Sequence, residues 1–191
     1  MPYMIIDVET VPGNQGEYES LESDEQRKKL LNPIDSRIVA IGLKQGLKTT
    51  VLFKAPEKEL LESFWNEIRL FKKQFPSGQL VGFNIKNFDL PFLVTRSFVN
   101  DVEIQPFLLK SVVDLREKLS AFKFGHVRGT LKEFGRFLGI KLSDMDGSMV
   151  AQKYWNKELD EIKNYLEKDL DITDAVYQRC KKTRIIEIER W

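Results

Sequence analysis

Residues 3–8 read YMIIDV and run into Glu9, Thr10 and Val11 before Pro12. The run Tyr3–Val8 reads as a buried first strand, and the cluster Pro12–Gly16 breaks it. In a strand, residues i and i+2 share a face, so Asp7 and Glu9 project together. They are expected at the end of the strand, at the rim of a sheet. Two carboxylates that close repel, and each raises the pKa of the other. A divalent cation between them reverses that cost, and hard cations such as Mg²⁺ prefer carboxylate oxygen. Sites in α/β proteins gather at strand ends.

Outward from that strand, Arg37–Gln45 and Leu47–Lys54 read as two strands joined by a tight turn at Gly46, which makes a meander of the first three. The segment Leu21–Asn32 is charged and reads as helical. Glu57–Phe75 carries Leu60, Leu61, Phe64, Trp65, Ile68, Phe71 and Phe75 at i, i+3, i+4, i+7 steps, the pattern of an amphipathic helix. Gln79–Asn84 is a short buried strand, and Asp89 is placed to cap the helix that follows, with Pro91 tolerated in its first turn. Ser111–Leu115 is a further strand. Thr130 and Glu133 form a capping box that opens a helix to about Leu138, closed by Gly139. Glu158–Lys182 is a long helix. Three strands, helix, strand, helix, strand, helices predict an α/β fold with a mixed β-sheet flanked by α-helices.

The chain has 191 residues, 42% apolar and 31% charged, the balance of an ordinary globular domain. That excludes a disordered tail, a collagen-like fibre and a disulfide scaffold. With Cys180 as its one cysteine, the chain forms no internal disulfide, which suits a reducing compartment. The start MPYMIIDVET lacks the basic region of a secretory leader. No window approaches the ~20 apolar residues of a membrane span. One soluble, cytoplasmic domain over residues 1–191 is expected. The formal net charge of +1 hides a segregation. Leu115–Lys141 holds seven basic residues against Glu117 and Glu133, and Leu142–Ala175 holds nine acids against four lysines. These blocks are either solvated faces or a phosphate-binding groove beside a cation site.

Two further acids stand out. Asp89 lies in GFNIKNFDLPFL (residues 82–93), between Phe88 and Leu90-Pro91. It is either an N-cap or a charge held beside apolar surface. Gly82 lets another backbone, or a substrate, approach closely. Asp169 lies inside the long helix, one turn after Tyr165 and near the apolar stripe, where a charge needs a partner or a metal. Each signal is common in isolation: Asp-Val-Glu recurs at Asp101–Glu103, and Tyr-x3-Asp at Tyr3–Asp7.

In order, Asp7-x-Glu9, Asn84-x3-Phe88-Asp89 and Tyr165-x3-Asp169 resemble the three exonuclease motifs of the DEDD superfamily. More narrowly they are similar to its tyrosine-bearing branch, the 3′→5′ proofreading exonuclease domain of B-family DNA polymerases and the stand-alone exonucleases related to it. GFNIKNFDLPFL is similar to the second motif over its whole length, and YLEKDLDITDAVY (residues 165–177) to the third. The sibling branch has a His where this chain has Asn164. The motif gaps, 75 residues from Glu9 to Asn84 and 76 from Asp89 to Tyr165, suit one ribonuclease H-like domain.

The resemblance implies a metal-dependent 3′→5′ exonuclease that acts on single-stranded DNA and releases nucleoside 5′-monophosphates. It implies that Asp7, Glu9, Asp89 and Asp169 hold two ions, Mg²⁺ or Mn²⁺, which clamp the attacking and leaving oxygens. Tyr165 would complete the catalytic set by orienting the water, since a phenol of pKa about 10 is a poor base at neutral pH. By the same resemblance the backbone at Thr10 and the ring of Phe88 contact the terminal nucleotide. Asn84 contacts substrate or holds the turn of its motif. Phe122, Phe124, Arg128 and Lys132 line a single-strand path, with core packing as the alternative for the two phenylalanines. Asp114 resembles a recurrent strand-end Asp with no assigned chemistry, and His126 is a surface or substrate-side residue. The implied partners are single-stranded nucleic acid, DNA before RNA, and a DNA polymerase or repair protein; no membrane is implied. Polymerase palm motifs and a strand-separating hairpin are not found, which favours single-stranded or frayed ends. The rival readings are an exoribonuclease of the same fold, an idle nucleic-acid-binding module, and a structural α/β domain whose acids are caps and surface charges.

Overall fold

The computed structural model describes residues 1–123, 125 and 128–189. Among the described residues the strands are β1 (Tyr3–Pro12), β2 (Ser36–Gln45), β3 (Lys48–Phe53), β4 (Gln79–Gly82) and β5 (Val112–Asp114), in the sheet order β3-β2-β1-β4-β5. β1, β2 and β3 pair antiparallel, and β4 and β5 join β1 in parallel. The sheet is therefore mixed and helices flank it, as the element order predicts. Gly46, with φ +58, makes the turn between β2 and β3.

The first strand is longer than its sequence suggests, and the expected strand-end placement of Asp7 and Glu9 is corrected by it. The ladder to β2 continues through Thr10↔Ile38 to Pro12↔Ser36, so both acids lie inside β1. Pro12 sits at the terminal position, where its missing N–H breaks nothing. On the other side the pairing with β4 stops at Ile5↔Val81. Asp7 and Glu9 are thus inside a strand and also beyond the carboxyl end of its parallel neighbour, which opens a crevice beside them.

Strand alternation sorts β1 between two layers. Met4, Ile6 and Val8 join the core under α3 (Glu57–Gln74) and α4 (Asp89–Val99). Ile5 joins the core under α8 (Leu159–Lys182), and Asp7 and Glu9 share its face. The predicted stripe of α3 is buried from Leu60 to Phe71, at roughly 1.5–3 kcal/mol for each large apolar side chain. Trp65 Nε1 donates to Ser97 Oγ at 2.7 Å and ties α3 to α4. α8 seats directly on β2 because Gly42 has no side chain: a Cβ there would lie 2.7 Å from Leu170 Cδ1 and 2.9 Å from Leu166 Cγ.

Shorter helices among the described residues connect these layers: α1 (Gln15–Ser20), α2 (Asp24–Leu30), α5 (Leu115–Leu119), α6 (Leu131–Phe137) and α7 (Val150–Trp155). α2 replaces the longer helix expected over Leu21–Asn32 and begins at a Ser23–Gln26 capping box. α6 has the predicted Thr130–Glu133 box, and Gly139 has φ +72. No helix among the described residues is long and apolar enough to cross a membrane.

The β1–β2 register slips between Glu9 and Thr10, where Val39 is the extra residue of a bulge. The neighbouring Ile38 N–H donates to Glu57 Oε1 at 2.7 Å. Arg96 holds the same carboxylate with Nε at 2.9 Å and Nη2 at 2.7 Å, and Asn100 Nδ2 donates to it at 3.0 Å. The first residue of α3 and the last turn of α4 therefore clamp the bulge next to Glu9. Arg96→Met leaves Glu57 charged and largely buried, and is expected to cost about 3 kcal/mol in urea unfolding. A loss below about 1 kcal/mol would contradict the clamp.

Candidate metal centre

Asp7, Glu9 and Asp169 each offer a carboxylate oxygen, and these oxygens lie within 4.8 Å of one another. The pleat of β1 supplies the first two on one face. α8 supplies the third, which its seating over Gly42 brings down to the sheet. Glu9 and Asp169 are buried and Asp7 keeps partial exposure. Tyr165, one turn before Asp169, is buried on the same side.

Asp89 is not the N-cap expected from its sequence. Phe88 occupies the cap position of α4 without a side-chain bond, and Asp89 is the first helical residue. Its Oδ1 accepts instead from the Val8 N–H at 3.0 Å. The β1–β4 ladder has already ended at Val8, so the carboxylate supplies the partner that a strand no longer does. Asp89 is only 2% exposed and lies within hydrogen-bonding reach of the Asp7 carboxyl. It stands behind the trio as a fourth acid.

The four carboxyls all hold protons more tightly than usual. Burial raises Asp7, and the charges of Asp89, Glu9 and Asp169 raise it further. Burial followed by Asp169 and Asp89 does the same to Glu9. Burial pushes Asp89 up to about 7, against the pull of its hydrogen bonds from backbone N–H groups and Asp7. Burial raises Asp169, while the Tyr165 hydroxyl and the Lys132 charge draw it back. Burial and the nearby Glu9 and Asp169 charges push the Tyr165 hydroxyl far up, so it stays protonated at neutral pH. It can orient a water but cannot serve as the base.

The donor set fits a hard divalent cation. It consists of carboxylate oxygens alone, and Asp169 Oδ1 is buried with no hydrogen-bond partner. Asp7, Glu9 and Asp169 can hold a divalent metal ion there.

A cavity of about 250 Å³ opens on this cluster. Thr10, Asn84 and Phe88 line it with the acids and Tyr165. Phe83, Leu131, Leu31 and Gly147 also line it and were not anticipated, although Phe83 and Leu131 each adjoin a residue that the motifs mark. Asn84 has φ +64, and this left-handed turn is held from below: Asp114 accepts from the Asn84 N–H at 3.0 Å and the Lys86 N–H at 3.1 Å. The space over Gly82 is used by the protein itself, since a Cβ would meet Ile85 Cβ at 2.7 Å and the Ile6 carbonyl at 3.0 Å. Phe122 and Arg128 are not on the cavity wall; the Phe122 ring lies 5.3 Å from Lys118 Nζ. Lys132 Nζ donates to the Ser143 and Met145 carbonyls and lies 5.5 Å from the centre of the Tyr165 ring. Phe124 and His126 fall outside the described residues. A larger cavity of about 540 Å³ borders Arg37, Lys54 and Tyr154, but the Glu57 that lines it is already paired with Arg96.

Because these four acids bind protons more tightly folded than unfolded, they impose no cost on the metal-free protein below their ordinary pKa near 4. Their ionisation costs stability increasingly as pH rises through about 7, where Asp89 titrates. Chelator-treated protein is expected to melt lower at pH 8 than at pH 5.5. Asp7→Asn should raise Tm at pH 8 by about 2–4 °C, about 1 kcal/mol for a chain this size. A flat pH profile, or a lower Tm for the variant, would count against the mutual repulsion.

Known proteins match this chain at several levels. The profile of the RNase H superfamily matches residues 30–181. An uncharacterized protein of Methanocaldococcus jannaschii is 34% identical over 169 residues, covering 82% of this chain and 93% of that protein. The family B DNA polymerase of the hyperthermophilic archaeon Pyrobaculum calidifontis superposes with a TM-score of 0.69 at 18% identity, over 97% of this chain and 25% of the polymerase chain. That likeness concerns the fold, and this chain spans a quarter of the polymerase's length.

Proposed function

The chain belongs to the RNase H superfamily, and from that premise we propose that it is a metal-dependent 3′→5′ exonuclease releasing nucleoside 5′-monophosphates from single-stranded DNA. The observation that carries this reading is the convergence of Asp7, Glu9 and Asp169, with Asp89 and Tyr165, on one cavity wall. Nothing in an apolar core calls for four unpaired acids, whereas phosphodiester hydrolysis does.

In this reading Asp7, Glu9, Asp89 and Asp169 hold two divalent ions, Mg²⁺ or Mn²⁺. When bound, such ions supply Lewis acidity at the phosphoryl oxygens and make water acidic enough to attack near neutral pH. The protein's own part is placement. The Val8 N–H fixes one Asp89 oxygen, which sets the orientation of the carboxylate beside Asp7. The protonated Tyr165 hydroxyl sits beside Asp169 and orients the attacking water. Phe88, packed on Phe92 with ring centres 4.9 Å apart, presents a fixed face to the terminal base. Such stacking is worth roughly 1–3 kcal/mol per base. Asn84 and the backbone of Thr10 hold the terminal nucleotide from either side. Arg128 and Phe122, in the basic stretch, continue the path of the strand, and a DNA polymerase or repair protein is the partner proposed to deliver it.

The test is a digestion ladder of 5′-labelled single-stranded DNA and RNA with Mg²⁺ or Mn²⁺. Shortening from the 3′ end with release of mononucleotides is expected, faster on DNA, and abolished by Asp89→Ala. Tyr165→Phe should lower kcat roughly tenfold or more at nearly constant KM, as befits a group that acts in the transition state. Internal cuts, or no cleavage of either polymer, would overturn the proposal; faster cleavage of RNA would overturn its choice of substrate.

A further inference from the structure

The Thr130–Glu133 capping box makes Lys132 the second residue of α6, next to Leu131 on the cavity wall. Its ammonium donates to two backbone carbonyls of one loop, Ser143 at 3.3 Å and Met145. It also lies 5.5 Å from the centre of the Tyr165 ring. The same loop passes the business end of that tyrosine: a Cβ on Gly147 would come within 3.9 Å of Tyr165 Oη. Leu131, the residue before Lys132, and Gly147 both line the cavity. The Met145 side chain packs in the apolar cluster that contains Tyr165. One cation thus joins the start of α6, the 143–147 loop and the ring of Tyr165.

We propose that Lys132 is a positioning residue, a strap that fixes the 143–147 loop against Tyr165 and so sets where the Tyr165 hydroxyl stands. This rests on the phosphodiesterase reading of the site, and it departs from the sequence expectation that Lys132 lines the single-strand path. The ammonium is spent on carbonyls and an aromatic face, the work of a compact cation with three donors. A displacement of about 1 Å at a water-orienting group costs on the order of 10²-fold in rate, so the strap acts on turnover rather than on substrate binding.

The experiment compares wild type, Lys132→Met and Lys132→Arg in two measurements. The first is amide hydrogen exchange of the metal-free protein, which needs no activity. Lys132→Met should speed exchange several-fold across residues 143–147 and leave β1 unchanged, and Lys132→Arg, which also bridges two carbonyls, should restore most of the protection. The second is steady-state digestion of single-stranded DNA with Mn²⁺. Lys132→Met should lower kcat roughly 10- to 100-fold with KM within about twofold, and Lys132→Arg should recover much of it. Unchanged exchange at residues 143–147, or a raised KM with unchanged kcat, would overturn the strap; the second pattern belongs to a lysine that holds the nucleic acid. If wild type cleaves nothing, the exonuclease reading fails, and the exchange measurement still decides whether Lys132 holds the loop.

Discussion

Asp7, Glu9, Asp89 and Asp169 bring four carboxylates together where none forms an ion pair with a lysine or arginine among the described residues, and the fold holds them there against their own repulsion. Three devices hold them. The pleat of β1 sets two acids on one face. The early end of β4 leaves the Val8 N–H to anchor a third. The missing side chain of Gly42 lets α8 bring the fourth against the sheet. A chain that keeps such a cluster stores an electrostatic cost that a bound cation repays.

The rest of the molecule can be understood as support for that cluster. The bulge beside Glu9 is closed by Glu57, which Arg96 and Asn100 hold in turn. The left-handed turn at Asn84 hangs on Asp114, which also caps α5 through the Arg116 and Glu117 N–H groups. Asp114 is therefore structural in a direct sense: it shapes the wall of the cavity without lining it.

Much of this was legible in the sequence, for reasons that are local. The i, i+3, i+4 stripe of Glu57–Phe75 and the capping box at Thr130 depend on neighbours in the chain, and α3 and α6 follow them. The three acidic motifs carry their own spacing, so the meeting of Asp7, Glu9 and Asp169 could be anticipated. What was not legible depends on distant partners. β1 runs on to Pro12 because β2 is there to pair with it. Asp89 reads as an N-cap until Val8 competes for its carboxylate. Lys132 looks like any lysine of a basic stretch, and only the return of the chain at residues 143–147 commits it. α5 and α7 are too short for a periodic signal, and each is fixed by what it packs against.

RNase H-like folds carry more than one chemistry, so the weight rests on the cluster rather than on the architecture. The most direct measurement is anomalous diffraction from crystals grown with Mn²⁺. Anomalous peaks bonded to oxygens of Asp7, Glu9 and Asp169 are expected, with Asp89 taking part when a second ion is present. Well-ordered crystals whose manganese binds only elsewhere, with these carboxylates turned away from one another, would contradict that expectation.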